Sequence, residues 1–209
     1  MPHTLYKKSR ICLDRLIIQG PIMKYLERLR QHHDDSYDHS LRVALMSIDL
    51  GYENRLTESE VRTVGYAGLL HDLGKTAVDS DVLSKPAALN AKERMEVQEH
   101  PRMGYLQLEE GLFRKIKMVV AGHHEFQTQP FPRSSSERRT LSRVDVADRR
   151  EPDASIARLT EIVAISDMLD ALASRRSYKA GFSREETESI LRRQFTGDPV
   201  LIDQVLNRF

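Results

Sequence analysis

The chain has a single cysteine, Cys12, among 209 residues. One thiol excludes an intrachain disulfide framework and a thiolate-rich zinc site, and it suits a reducing compartment. Long apolar runs are equally scarce: no stretch reaches the ~18 consecutive apolar residues of a membrane helix. The first twenty residues lack the apolar run and small-residue cleavage site of a secretory signal. A cytoplasmic protein with no membrane association is expected. An excess of one charge is missing too, since 32 Lys and Arg oppose 31 Asp and Glu for a net charge of +1. That removes the bulk electrostatic basis for holding DNA or RNA, although a local positive site for a nucleotide-sized anion remains open. Alternating polar and β-branched segments long enough for strands are absent, and no repeat runs at a solenoid period.

What is present is helical periodicity, which predicts an all-α fold. PIMKYLERLRQ opens on Pro21 and spaces Ile22, Leu26 and Leu29 along one face. SLRVALMSIDLG predicts a second helix ending at Gly51. Thr57 and Glu60 form a capping box for a third, in which Val61, Val64 and Gly68 share the face to which His71 and Asp72 return. Asn90 caps a fourth, running through Met95 to His100. In KIKMVVAGHHE, residues Ile116, Val119, Val120, His123 and His124 follow a buried stripe, and in LTEIVAISDMLDALAS, Val163, Asp167 and Asp170 share a side. Residues 126–154 break the rhythm with three prolines, a triple serine and many charges, and a connection of that length is usually functional or disordered. The first twenty residues form an extension or an extra helix before a domain at 21–209, and the amphipathic start would also serve as a dimerisation arm.

Histidine is the residue type to follow. Seven of eight lie between positions 32 and 124, and neutral imidazole is the commonest metal ligand. Three predicted helices carry ligand-type residues at their apolar ends: His71 with Asp72, His123 with His124, and Asp167. Burying any of them unpartnered costs several kcal/mol. A metal site would satisfy them together, whereas each alone is also readable as a hydrogen-bonded core group.

The joint pattern of HSLRVA (39–44), GLLHDLGK (68–75), VLSKPAALNAKE (82–93), EHPRMG (99–104), HHE (123–125), SDMLDAL (166–172), RRSYK (175–179) and GDPVLIDQVLNRF (197–209) resembles the HD-superfamily phosphohydrolases, and within them the HD-GYP branch. The resemblance implies an all-α HD domain in which His39, His71, Asp72 and Asp167 hold one metal. It further implies that His100, His123 and His124 hold a second, with Asp72 bridging. Some members use a carboxylate at the place of Asp35 for an additional metal. A His and Asp site without sulfur suits Fe, Mn, Zn or Co and does not choose among them by affinity order; Fe or Mn is expected, with Zn, Co or Ni as alternatives. Two such ions would polarise a phosphate and activate a bound water, with Asp72 and Lys75 in the catalytic machinery. Arg176 and Lys179 match the family's phosphate-contacting R-P-Y-K, although Ser177 replaces the proline. Asp170 is placed to orient a ligand histidine or to cap a neighbouring segment.

The name-giving D-G-x-G-Y-P after HHE is absent, and HHEFQTQPFP stands in its place. Loss of glycines that permit φ > 0 changes the path of that loop. A cyclic dinucleotide of the cyclic di-GMP type is the favoured substrate. Another nucleotide phosphoester, a non-catalytic nucleotide- or partner-binding role using 126–154 to contact a signalling protein, and a metal-stabilised structural role are the alternatives.

Overall fold

The computed structural model describes residues 3–109, 114–130, 154–174 and 181–208. Among them every regular element is a helix, and the one β feature is an isolated antiparallel bridge between Gln127 and Phe195. The all-α expectation holds. The order is α1 (His3–Ile17), α2 (Gly20–His32), α3 (Asp34–Glu53), α4 (Glu58–Leu70), a 3₁₀ segment (Leu73–Ala77), the single turn α5 (Ser80–Leu83), α6 (Ala91–Gln98), α7 (His100–Gln107), α8 (Arg114–Gly122), α9 (Ala154–Ala173), α10 (Arg184–Gln194) and α11 (Pro199–Leu206).

Local chemistry sets most helix starts. Pro21 opens α2, where a missing N–H costs nothing. Thr57 with Glu60, Asn90 with Glu93 and Ser183 with Glu186 form reciprocal capping boxes at α4, α6 and α10. The His33 ring accepts from the Ser36 amide and starts α3 earlier than the apolar pattern suggests, so Asp34 and Asp35 fall in its first turn. Negative charge there complements the helix dipole.

Helix α9 is the axis of the domain. Every residue from Leu159 to Asp170 is buried, as expected of a helix surrounded by others, and α3, α4, α8, α10 and α11 pack around it. Helices α3 and α4 form an antiparallel hairpin drawn close at Gly68, where an added Cβ would meet the Ala44 backbone. Leu13 and Leu16 of α1 join the same core as Leu191, Leu201 and Val205 near the C-terminus. Asp49 ties these ends together, accepting from the Ser9 hydroxyl at 2.9 Å and from Arg208 Nε at 2.8 Å.

Three predicted helices end sooner than their sequence pattern. The one begun at Asn90 stops at Gln98, and His100 opens α7 instead, with Pro101 in its first turn. Likewise α4 and α8 stop at Leu70 and Gly122, leaving His71, Asp72, His123 and His124 just beyond the helix ends. Periodicity alone missed these breaks because the residues beyond them continue the buried stripe.

Candidate metal centre

One end of the bundle gathers the carboxyl ends of α4, α6 and α8, the N-terminal part of α3 and the last turns of α9. Each helix end leaves backbone carbonyls without intrahelical partners, and three histidines use them in the same way. His71 Nδ1 donates to Gly68 O at 2.9 Å, His100 Nδ1 to Val97 O at 2.7 Å, and His123 Nδ1 to Val120 O at 2.6 Å. A carbonyl only accepts, so in each ring Nδ1 carries a proton and Nε2 is the nitrogen left to face the centre. His39 lies inside α3, and its Nδ1 donates to Asp170 Oδ2 at 2.7 Å. Asp170 is held in turn by Arg42, whose Nε and Nη2 donate to its two oxygens at 2.7 and 3.0 Å.

The four Nε2 atoms converge. His39 and His71 bring theirs within 3.3 Å of each other, and His100 and His123 within 3.1 Å. Asp72 lies between the two pairs: Oδ1 is 3.3 Å from His100 Nε2, and Oδ2 is 3.6 Å from His71 Nε2 and 3.8 Å from His39 Nε2. Asp167 Oδ1 approaches His39 Nε2 at 3.0 Å and His71 Nε2 at 3.8 Å. The His123 and His124 rings lie 4.1 Å apart between centroids, tilted by 43°. Three overlapping sets of ligand atoms each lie within 4.8 Å: His100, His123 and His124; His39, His71 and Asp72; and His71, His123 and Asp167.

Burial and charge set the ionisation of these groups. Burial pushes His100 and His124 down to about 3, and His123 well below the ordinary imidazole value. Burial also opposes charge on His39, but hydrogen bonds to Asp167 and Asp170 outweigh it and raise that ring to about 9. Asp72 and Asp167 are held well below the usual carboxylate range: burial disfavours their charge, yet Lys75 with the surrounding histidines prevails for Asp72, and His39 with His71 for Asp167. Asp170 sits at about 2, because its bonds to His39 and Arg42 outweigh burial.

A divalent cation fits this arrangement. His100 and His123 are both neutral with Nδ1 protonated, so two bare lone pairs face each other at 3.1 Å with no hydrogen to share. Ligands about 2.1 Å from one ion stand roughly 3.0–3.4 Å apart, the range these nitrogens occupy. The ionised carboxylates supply the compensating negative charge.

Comparison with known proteins agrees. The model of the HD domain family matches residues 36–172. The chain belongs to the HD domain family. It is 31% identical over 166 residues to a cyclic di-GMP phosphodiesterase of Pseudomonas aeruginosa, covering 77% of this chain and 36% of that protein. It is 31% identical over 179 residues to the 3'3'-cGAMP-specific phosphodiesterase 2 of Vibrio cholerae, covering 82% and 31%. It is 31% identical over 160 residues to the cyclic di-GMP phosphodiesterase response regulator RpfG of Xanthomonas campestris, covering 72% and 37%. The chain thus spans about a third of the length of these relatives.

Around the HD centre, all seven sequence-predicted ligands, His39, His71, Asp72, His100, His123, His124 and Asp167, come together at one end of the bundle. Lys75 meets Asp72 Oδ2 at 2.6 Å, not along a continued α-helix but across the 3₁₀ segment, which brings residues three apart together. Asp35 is exposed one turn before His39 and stands outside the grouped ligand atoms among the described residues. Arg176, Lys179 and residues 131–153 lie outside the described residues. Sequence reading missed Arg42, whose place three residues after His39 on a helix was the available signal, and Gln127, for which there was none. No helix among the described residues is long and apolar enough to cross a membrane.

A cleft opens from the centre. A cavity of about 730 Å³ runs past Asp35, Asp38, Arg42, Lys75 and Lys85 along the largely apolar segment 82–89, and a second of about 260 Å³ lies over Asp72, His100, His124 and Asp167 with Met168 and Leu172 as its wall. His39, Lys75 and Val97 line both.

The same shifts predict how the metal-free HD domain responds to pH. His100 and His124 stay neutral down to about 3, while unfolded imidazoles take up protons below 6.5. Their contribution is present above 6.5 and is lost as pH falls toward 3. His39 keeps its proton up to about 9, so its contribution is present below 6.5 and is lost as pH rises through 9. Urea unfolding in chelator should therefore give a midpoint that is highest near pH 6.5 and falls on both sides. A midpoint rising steadily across that range would contradict the assignment.

Proposed function

We propose that this HD domain is a metal-dependent phosphodiesterase that hydrolyses a cyclic dinucleotide, with two divalent ions, Fe or Mn by preference, held by the seven ligands. The observation that carries the reading is Asp72, whose two oxygens face two separate histidine groups. A carboxylate so placed would be able to hold two ions together with those histidines, and such ions, when bound, would supply Lewis-acid polarisation of a phosphodiester and a water of lowered pKa.

The protein's own residues supply the rest. Arg42 and Asp170 fix the His39 ring, and terminal carbonyls fix His71, His100 and His123, so the ligand set is preorganised. Lys75 faces both cavities beside Asp72, where its ammonium favours negative charge gathering on phosphate oxygens. The larger cavity has the volume of a nucleotide-sized ligand, and its apolar segment 82–89 offers a surface for a nucleoside. Arg176 and Lys179 are proposed to contact the other phosphate, and the 126–154 segment to contact a signalling partner.

The relatives divide between cyclic di-GMP and 3'3'-cGAMP phosphodiesterases, so both dinucleotides belong in the test. Protein loaded anaerobically with Mn or Fe(II) is incubated with each dinucleotide and with mononucleotide phosphoesters, and the products are separated by chromatography. Linear dinucleotide or mononucleotide from either cyclic substrate is expected. Turnover confined to mononucleotides would reassign the substrate, and no turnover by metal-replete protein would overturn the enzymatic reading.

A further inference from the structure

We propose that Gln127 is the positioning residue that selects the tautomer of His124, and so decides whether that ring can hold a metal. This rests on the reading of His124 as a ligand.

Four histidines of the centre have Nδ1 fixed as a donor, three by carbonyls at helix ends and His39 by a carboxylate. Their Nε2 atoms are thereby committed to the centre. His124 differs, because it lies two residues beyond the end of α8 and its Nδ1 meets the carboxamide of Gln127 at 2.9 Å. A carboxamide presents a donor on one side and an acceptor on the other. With its nitrogen toward the ring, His124 Nδ1 accepts, the ring proton sits on Nε2, and that nitrogen has no lone pair to give. With its oxygen toward the ring, Nδ1 donates and Nε2 is free. The carboxamide nitrogen is the end placed toward the ring. Half a turn of the carboxamide converts one state to the other without moving the backbone.

The backbone itself is pinned. Thr128 N donates to Gln194 O at 2.9 Å and Thr196 N to Phe126 O at 3.1 Å, which closes the bridge between Gln127 and Phe195. The segment that follows HHE is therefore held by the end of α10, and the carboxamide is offered to His124 from a fixed point. Gln127 stands in the stretch where D-G-x-G-Y-P is absent, so the device belongs to this chain's own version of the loop.

The test uses the full chain, zinc as a diamagnetic probe, and three variants. Gln127→Glu has acceptors only, Gln127→Met has neither donor nor acceptor at similar length, and His124→Ala removes the ring. Zinc affinity is measured by chelator competition, and the His124 tautomer by ¹⁵N-resolved NMR of the ring nitrogens in metal-free protein. Gln127→Glu is expected to bind zinc at least as tightly as the wild type and to move the metal-free ring proton from Nε2 to Nδ1. Gln127→Met should lose about 10–100-fold in affinity at one site, the usual cost of losing a group that orients a ligand. Wild-type affinity in Gln127→Met, or the same metal-free tautomer in the wild type and Gln127→Glu, would overturn the proposal. If His124→Ala also binds zinc as the wild type does, the ligand reading falls with it; if His124→Ala loses zinc while Gln127→Met does not, the positioning role alone fails.

Discussion

Asp72→Ala should yield a folded protein with neither its full metal content nor measurable hydrolysis of a cyclic dinucleotide. Asp72 is buried and ionised, facing His100 through one oxygen and His71, His39 and Lys75 through the other. Removing it takes the shared negative charge from between the two histidine groups and leaves the Lys75 ammonium beside the protonated His39 ring without the carboxylate that separates them. A loss of about 10³-fold or more in kcat/KM is expected, since the ions' stabilisation of transition-state charge is worth several kcal/mol. Metal content by atomic emission and product formation by chromatography should fall together. Lys75→Ala is the contrast: metal retained, kcat lower by about 10²-fold. Full metal content and activity in Asp72→Ala would remove Asp72 from the centre.

Gly74→Ala should destabilise the domain although it alters no ligand. A Cβ on Gly74 would sit inside contact distance of the His100 carbonyl and crowd the Gly104 amide. Both obstacles are backbone atoms of α7, so relief requires moving the helix that starts with His100. The expected cost is about 3 kcal/mol, the upper range for overpacking, which lowers Tm by roughly 6–12 °C in a chain of this size. Zinc affinity should drop as well, because His100 moves with α7. Gly20→Ala is the matched control, since an added Cβ there meets nothing within 4 Å, and its effect should stay within about 0.5 kcal/mol. Equal melting temperatures for the two variants would show that α7 can shift freely.

The helices and their starts were legible because the signals lie among neighbouring residues. Thr57 with Glu60 and Asn90 with Glu93 cap the helices they were expected to cap, and Ile22, Leu26 and Leu29 are buried as their spacing implied. Where the periodicity overran, at His71, His100 and His123, the cause was the site itself. Those histidines continue an apolar stripe in sequence but sit at helix termini, where unsatisfied carbonyls are available to hold a ring.

The sequence by itself determined that the protein is helical, which residues have ligand chemistry, and that they occur in the order of the HD family. Only the tertiary structure decided which nitrogen of each ring faces the centre, that Asp72 stands between two histidine groups, that Arg42 reaches Asp170 across 128 residues, and that Gln127 rather than a carbonyl meets His124. The reason is one of range. Caps and periodicity act within a few residues, whereas the direction of a lone pair depends on how whole helices are set against one another, by contacts such as Gly68 on Ala44 and Gly74 on His100 that join parts of the chain distant in sequence.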